Sequence, residues 1–338
     1  AVSAPPARRR PWLGRVARAN ARNAGLLLTL GIALAIVSIQ RPIYLSYDNL
    51  LVVGLQMSFI GIAALGTTAL IIGGNVDLSI GSVFALAAVV ATLLAKHVDP
   101  AAALVGGIAL AGAIGWINGL LVWRIRISPI IITLGALTLL RGVVLLLTNG
   151  FAITGVPHGF GGFGQTRVFG VPMPLIVLVV LAPLAYLVLQ RTTIGQHVFA
   201  IGGNREAAEA AGLSVRRIVL GSFAVNGVAV GLAGVLAASR FGSADPSFGV
   251  GFELDVITAV ILGGVAFNGG EGGIGGVIIA VALLGVINSG LVSLGVNPFY
   301  TNVVKGGVLI VAVAIDQLAH EQRERYQRFL AMREGGGP

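Results

Sequence analysis

The chain has no cysteine among its 338 residues, only two lysines (Lys96 and Lys305), and only 10% charged side chains. Without cysteine there is no disulfide, no thiol nucleophile and no thiolate metal site. The four histidines, His97, His158, His197 and His320, are scattered among predicted loops and helix ends, so no metal site is expected. A P-loop needs a lysine behind its spaced glycines, and neither lysine has them; the chain is expected to hold no ATP through a P-loop of its own. No G-x-S-x-G elbow or Ser-His-Asp constellation is visible, so no enzymatic activity is expected either. The scarcity of charge excludes more. A soluble domain carries about a quarter charged residues. Here 56% of residues are hydrophobic, and the polar atoms cannot cover the surface. The chain is an integral membrane protein. Its 50 glycines suit helices that approach closely in lipid.

Apolar runs long enough to be membrane spans are predicted at 24–39, 50–72, 78–95, 101–122, 128–148, 173–190, 218–238, 254–267, 274–295 and 302–319. The fold class expected is therefore all-α and polytopic, with about ten transmembrane helices. The first run has no A-x-A-like site after it and reads as an uncleaved span rather than a signal peptide. A net charge of +9 would suit nucleic acid only if it were clustered on one soluble surface. Instead it alternates across the bilayer. One side receives Arg8, Arg9, Arg10, Arg15, Arg18, Arg22, Arg124, Arg126, Arg191, Arg205, Arg216, Arg217, Arg323, Arg325, Arg328 and Arg333. The other receives Arg41, Lys96, Arg167 and Arg240. This asymmetry predicts both termini on the cytoplasmic side. The expected organisation is a basic tail (1–23), a membrane domain (24–319) with a cytoplasmic loop at 191–217, and a second cytoplasmic tail (320–338). The partner implied by composition is the lipid bilayer, not nucleic acid.

Two connections are tight and Gly-rich, "GGNVDLSIG" (73–81) and "FNGGEGGIGG" (267–276). Each joins an apolar run, a Gly-Gly, an acidic residue and a small-residue restart, which raises an internal repeat of spans 2–3 against spans 8–9. In the first, Gly74, Asp77, Ser79 and Gly81 mark either a functional helix break or, more simply, a cap on span 3, whose N-terminus favours an acidic side chain. All 13 acidic residues fall in predicted loops or near span ends. No deep carboxylate of the kind that couples a secondary carrier to protons or sodium is therefore expected. Arg141 sits within span 5 and either lines a path for a hydroxylated solute or pairs with Glu253 or Asp255 near the outer end of span 8. Asn118, Asn226 and Asn288 suit the same path, because an amide both donates and accepts. They suit helix–helix hydrogen bonds as well. The outer loops 149–174 and 240–255, rich in glycine, proline and aromatics, suit an irregular docking surface that includes Glu253 and Asp255.

The loop 191–217 is the largest polar island in the chain. Asn204 is a good helix N-cap and Gly212 a good residue to follow a helix C-terminus, and "REAAEAA" between them is strongly helical. Such a helix is too short to be stable alone. Its alanines would let it lie in a groove of another protein; alternatively it is a solvated connection.

Glu206-Ala207-Ala208 followed by Gly212 resembles the EAA-x-x-x-G coupling signature of ABC importer permeases. The wider stretch "RTTIGQHVFAIGGNREAAEAAGL" is similar to that of the monosaccharide permeases of ribose, xylose and galactose type. So are "GGNVDLSIGS", "INGLLVWRIRISPIIITLGALTLLRG", "GFELDVITAVILGGVAFNGGEGGIGG" and "VINSGL". These matches run in order from about residue 50 to 316. Asn75 and Glu271 depart from the family's usual residues, which leaves the sugar open. The resemblance implies a permease of about ten spans in a bacterial cytoplasmic membrane, working as a homodimer or heterodimer. It implies that ATP and Mg bind a partner ATPase, that this chain binds no cofactor, and that an extracytoplasmic sugar-binding protein delivers substrate. Asn204, Arg205, Glu206, Ala207, Ala208 and Gly212 would then form the coupling element on which ATP binding pushes. A permease of the same superfamily for nucleosides or a furanosyl signal is the near alternative; a stand-alone carrier or channel is the distant one.

Overall fold

The computed structural model describes residues 11–297 and, beyond them, residues 300, 303, 306, 307, 310, 311 and 314. Most of the tenth predicted span, Lys305 and the C-terminal tail lie outside the described residues. The helices run in the order α1 (Pro11–Gln40), a 3-10 turn (Pro42–Leu45), α2 (Tyr47–Ile72), α3 (Ile80–Leu94), α4 (Pro100–Ile125), α5 (Pro129–Thr148) and α6 (His158–Gln165). A two-stranded ribbon, β1 (Arg167–Val168) and β2 (Val171–Pro172), precedes α7 (Met173–Arg191), α8 (Thr193–Gly203) and α9 (Arg205–Ala210). The chain then continues through α10 (Val215–Phe241), α11 (Phe252–Leu262) and α12 (Ile274–Ser293). The predicted spans as far as residue 295 each contain a helix. Seven helices are long and apolar enough to cross a membrane: the Arg22–Gln40 part of α1, α2, α4, α5, α7, α10 and α12. The predicted spans 78–95 and 254–267 are corrected to shorter helices, α3 of 15 residues and α11 of 11 residues. At about 1.5 Å per residue neither reaches across a hydrocarbon core of about 30 Å.

Start and stop signals explain the boundaries. Pro100 and Pro129 occupy the first turns of α4 and α5, where a missing N–H costs nothing. The Asp99 side chain accepts from the N–H of Ala101 (2.8 Å) and of Ala102 (3.3 Å) at the head of α4. α2 and α11 end in the same closure. Gly74 and Gly264 follow the last turn with φ of +76° and +81°. Beyond them, Asn75 N–H reaches back to Leu70 O and Val265 N–H to Val260 O. This is the Schellman arrangement, and only glycine adopts its positive φ without strain.

The interior is built on α2, α3 and α10. In α2 67% of the apolar window is buried within the chain, against 17% in α5 and in α7, which leave their flanks to lipid or to a partner. α4 and α10 approach backbone to backbone. A Cβ on Gly115 would collide with Phe223 O, and one on Gly227 with Ala111 O. Gly115 and Gly119, and Gly227 and Gly231, are spaced four apart, the small-xxx-small pattern that lets helices meet closely without a hydrophobic driving force. At the end opposite α9, the loops 149–174 and 240–255 fold onto each other. Ile153 and Ala244 exchange backbone hydrogen bonds of 2.8 and 3.0 Å, and Gly164 N–H donates to Ser239 Oγ at 2.7 Å. The region predicted to be irregular thus contains α6 and a tight ribbon. The ribbon's turn carries Phe169 at φ +52° with its ring fully exposed.

Candidate functional site

The polar loop folds into two short helices. Asn204 Oδ1 accepts from Ala207 N–H at 2.9 Å, so Asn204 caps α9. Gly212 follows α9 at φ +83°, with Gly212 N–H bonded to Glu209 O and Leu213 N–H to Ala208 O. Of the six turn-forming residues Arg205–Ala210, only Ala208 is buried. Arg205, Glu206 and Ala207 face outward. Sequence reasoning missed α8. Its signal was the spacing of Gly195, Val198 and Ile201, which are buried on one side of it. Thr192 Oγ1 accepts from Gly195 N–H at 3.4 Å and starts the helix.

A cleft of about 690 Å³ opens beside α9. One wall is α9 with Arg205, Glu206 and Glu209; the other is the α4–α5 turn with Trp123, Arg126 and Ser128; Gly74 and Asn75 lie at its inner edge. Arg216, at the head of α10, lies 4.8 Å over the Trp123 ring and ties α10 to the α4 side of the cleft by a cation–π contact.

Behind that edge the break between α2 and α3 carries a buried polar network. Asp77 is 2% exposed. Its Oδ1 accepts from Ser79 N–H (2.8 Å) and Ser79 Oγ–H (2.6 Å), and its Oδ2 accepts from Asn226 Nδ2 (3.1 Å). Asn226 Oδ1 accepts from Thr67 Oγ1–H at 2.8 Å, and Asn118 Nδ2 donates to Ser79 Oγ at 3.0 Å. One network therefore ties α2, the break, α4 and α10 together. Two expectations change. Asp77 does not cap α3, because Ser79 is the N-cap residue and its side chain makes no cap bond; Asp77 instead folds the break back on itself. A carboxylate does lie deep in the structure, and it lies there because its neighbours supply the hydrogen bonds that water would.

The other predicted site residues fall elsewhere. Asn118 and Asn226 spend their amides on the network, as helix–helix hydrogen bonds. Asn288, on α12, is not part of it, and its Oδ1 is buried without a hydrogen-bond partner among the described residues. Arg141 pairs with neither predicted carboxylate directly; its Nη1 donates to Pro246 O and Phe248 O, both at 2.9 Å, and clamps the loop ahead of α11. Glu253 is half-buried. It packs against the first turn of α3, where a Cβ on Gly81 would collide with the Glu253 carboxylate and with Gly249 O. A negative group there suits the positive end of α3. Asp255 lines a smaller cavity of about 290 Å³ among Phe59, Phe84, Phe248 and Phe252. In the same outer loop, hydrogen bonds from the Ser247 side chain and backbone hold the Asp245 carboxyl below its ordinary range.

The broken helices, the buried network and the seven helices long and apolar enough to cross a membrane define a polytopic membrane protein. Residues 47–313 match the family described as the permease component of the branched-chain amino acid transport system, and the chain belongs to that family. Among its relatives is the ribose import permease protein RbsC of Bacillus subtilis (strain 168), 40% identical over 296 residues, 87% of this chain and 92% of the relative. The D-allose transport system permease protein AlsC of Escherichia coli (strain K12) is 37% identical over 297 residues, 87% of this chain and 91% of the relative. The galactose/methyl galactoside import permease protein MglC of Salmonella typhimurium is 34% identical over 323 residues, 90% and 96% of the two chains. No solved structure matches the chain.

Proposed function

We propose that the chain is the membrane-spanning subunit of an ATP-driven importer for a monosaccharide of the pentose or hexose class. In this reading ATP and Mg bind a separate ATPase that docks on the face carrying α9, which is cytoplasmic together with both termini. A sugar-binding protein docks on the opposite face, over the joined loops 149–174 and 240–255, and two permease copies form the pathway in the bacterial cytoplasmic membrane. The described residues from 300 onward belong to a tenth span, and the shared Schellman closure of α2 and α11 supports an internal repeat.

The observation that carries the coupling role is α9 itself. It is a short helix fixed at both ends, by Asn204 and by Gly212, and it presents exposed Arg205, Glu206 and Ala207 beside a polar cleft. A short helix of this kind is stable only when its ends are fixed, and its exposed alanines, Ala207 and Ala210, suit a protein groove. The sugar class rests on the relatives, whose names include ribose, allose and galactose permeases. Asp77 is the observation that would favour a proton-coupled carrier. Its oxygens are taken by Ser79 and Asn226, which suits a structural lock better than a proton relay.

The test is to purify the tagged chain from cells and to measure uptake of labelled ribose, allose, arabinose and galactose. The reading predicts co-purification of an ATPase and ATP-dependent uptake of at least one of these sugars. It also predicts that Glu206→Arg abolishes both. Normal ATP-dependent uptake by Glu206→Arg would remove the coupling role from α9.

A further inference from the structure

Three glycine segments, far apart in sequence, meet at one point behind α9. Gly202, in the last turn of α8, lies so close to the end of α2 that a Cβ would overlap the Ile72 carbonyl oxygen. That oxygen also accepts a hydrogen bond from Gly270 N–H, in the break after α11, at 2.8 Å. Gly269 and Gly270 sit at φ +85° and +73°. A Cβ on Gly269 would fall 2.9 Å from Gly74 Cα, and one on Gly270 would fall 2.7 Å from Gly203 Cα. α8 is therefore seated, backbone on backbone, against the break after α2 and the break after α11 at once. No side chain stands between them to bend or to change rotamer. The first break leads from Gly74 to Asp77 within three residues, and so into the network that joins α2, α4 and α10.

We infer that this glycine junction, with Gly202 as its central positioning residue, carries displacement of α9 to both membrane helix breaks as one rigid body. The inference rests on the reading of α9 as the place where the ATPase docks. α9 follows α8 after the single extended residue Asn204, so a load on α9 reaches Gly202 through two residues, Asn204 and Gly203. Packed backbone transmits it because close-packed interiors have little free volume in which to absorb a shift. Two distinct arrangements of the breaks, open and closed, are the kind of bistable element on which such a load acts.

The test uses the assembled transporter, with its co-purified ATPase, reconstituted in liposomes with labelled ribose as probe, or whichever of the four sugars the intact protein imports. Gly202→Ala adds one methyl group where the Ile72 carbonyl stands. Gly203→Ala is the control, because a Cβ there meets nothing within 4 Å. Gly202→Ala should still bind the ATPase and hydrolyse ATP. Sugar moved per ATP should fall roughly tenfold, within the usual range of coupling between sites. Gly203→Ala should transport as the parent does. Wild-type sugar per ATP in Gly202→Ala overturns the inference while leaving the docking role of α9 intact; loss of ATPase capture by Glu206→Arg tests that role separately. Should Gly202→Ala not assemble, a second measurement decides. The chain has no cysteine, so spin labels can be placed at Gly203→Cys and Gly275→Cys, both open positions. Their separation should change by less than about 2 Å between the nucleotide-free and ATP-bound states, below the scale of an allosteric helix shift. A larger change means that α8 slides over the breaks, and the inference falls.

Discussion

After α2 the chain closes on Gly74 and then buries Asn75, Asp77 and Ser79 among side-chain hydrogen bonds. After α11 it closes on Gly264 with the same backbone pattern, then runs through Gly269, Gly270 and Gly272, all at positive φ. That second segment makes three main-chain bonds, Ala266 N–H to Glu271 O, Gly269 N–H to Ala266 O, and Gly270 N–H to Ile72 O, and Arg22 Nη1 donates to Gly264 O at its closure. Two similar sequences thus solve one problem differently. A helix that stops inside a membrane protein must satisfy its freed backbone groups internally. The first break uses a carboxylate and its donors. The second uses glycine backbone folded against its neighbours. The first is vulnerable to losing a side chain, and the second to gaining one.

The largest effect should come from the first break. Asp77→Leu leaves Asn226 Nδ2 and the Ser79 N–H and hydroxyl without their acceptor in a buried site. Unsatisfied buried groups cost about 1–3 kcal/mol each, so a loss of about 3 kcal/mol or more is expected. Thermal unfolding of the purified protein in detergent, followed by tryptophan fluorescence, reads it. Asp77→Asn, which keeps an acceptor oxygen in place, should lose less. Equal stability of Asp77→Leu and the parent would mean that the network seals nothing.

At the second break the order should invert. Gly270→Ala imposes a methyl group at φ +73° against Gly203, a strained placement that costs of order 1–3 kcal/mol. Asn268→Ala, an exposed truncation in the same segment, should stay within about 0.5 kcal/mol. The same melting measurement compares them. If Asn268→Ala is the more damaging, the second break is held by side chains after all and the contrast collapses.

Much of this was legible in the sequence, for reasons that differ by element. Long apolar runs located the helices, and the Asn204 and Gly212 signals located α9, because caps are local chemistry. The Gly-Gly pairs marked both breaks. Three things were not legible. α3 was read as starting at Leu78, although its helix begins only at Ile80, and α11 as running on to Phe267 because Val265, Ala266 and Phe267 keep the composition apolar past Leu262, where the helix ends. The role of Asp77 depends on Asn226, 149 residues away, and no local pattern announces such a pair. Arg141 was read as a partner for a carboxylate because charge is what sequence displays; Glu253 does interact with it electrostatically, but its hydrogen-bond partners, Pro246 O and Phe248 O, are backbone oxygens that every residue carries.

The smallest effect offers the sharpest comparison of the two closures. Gly74 and Gly264 occupy the same position of the same motif, so alanine at either should cost about 1 kcal/mol for the positive φ alone. Their surroundings differ. A Cβ on Gly74 would come no closer than 3.6 Å to Gly202 Cα, whereas one on Gly264 would overlap the Arg22 guanidinium. Arg22 Nη1 donates to Gly264 O at 2.7 Å, so α1 clasps the second closure and leaves the first alone. Gly264→Ala should therefore be the worse of the two, by the cost of displacing Arg22. In an Arg22→Ala background that excess should vanish, leaving Gly264→Ala and Gly74→Ala alike. A double-mutant cycle on melting stability reads the coupling, expected at about 0.5–1 kcal/mol for residues in direct contact. A coupling of zero would show that the guanidinium swings aside freely and that the two closures differ only in the segments leading away from them.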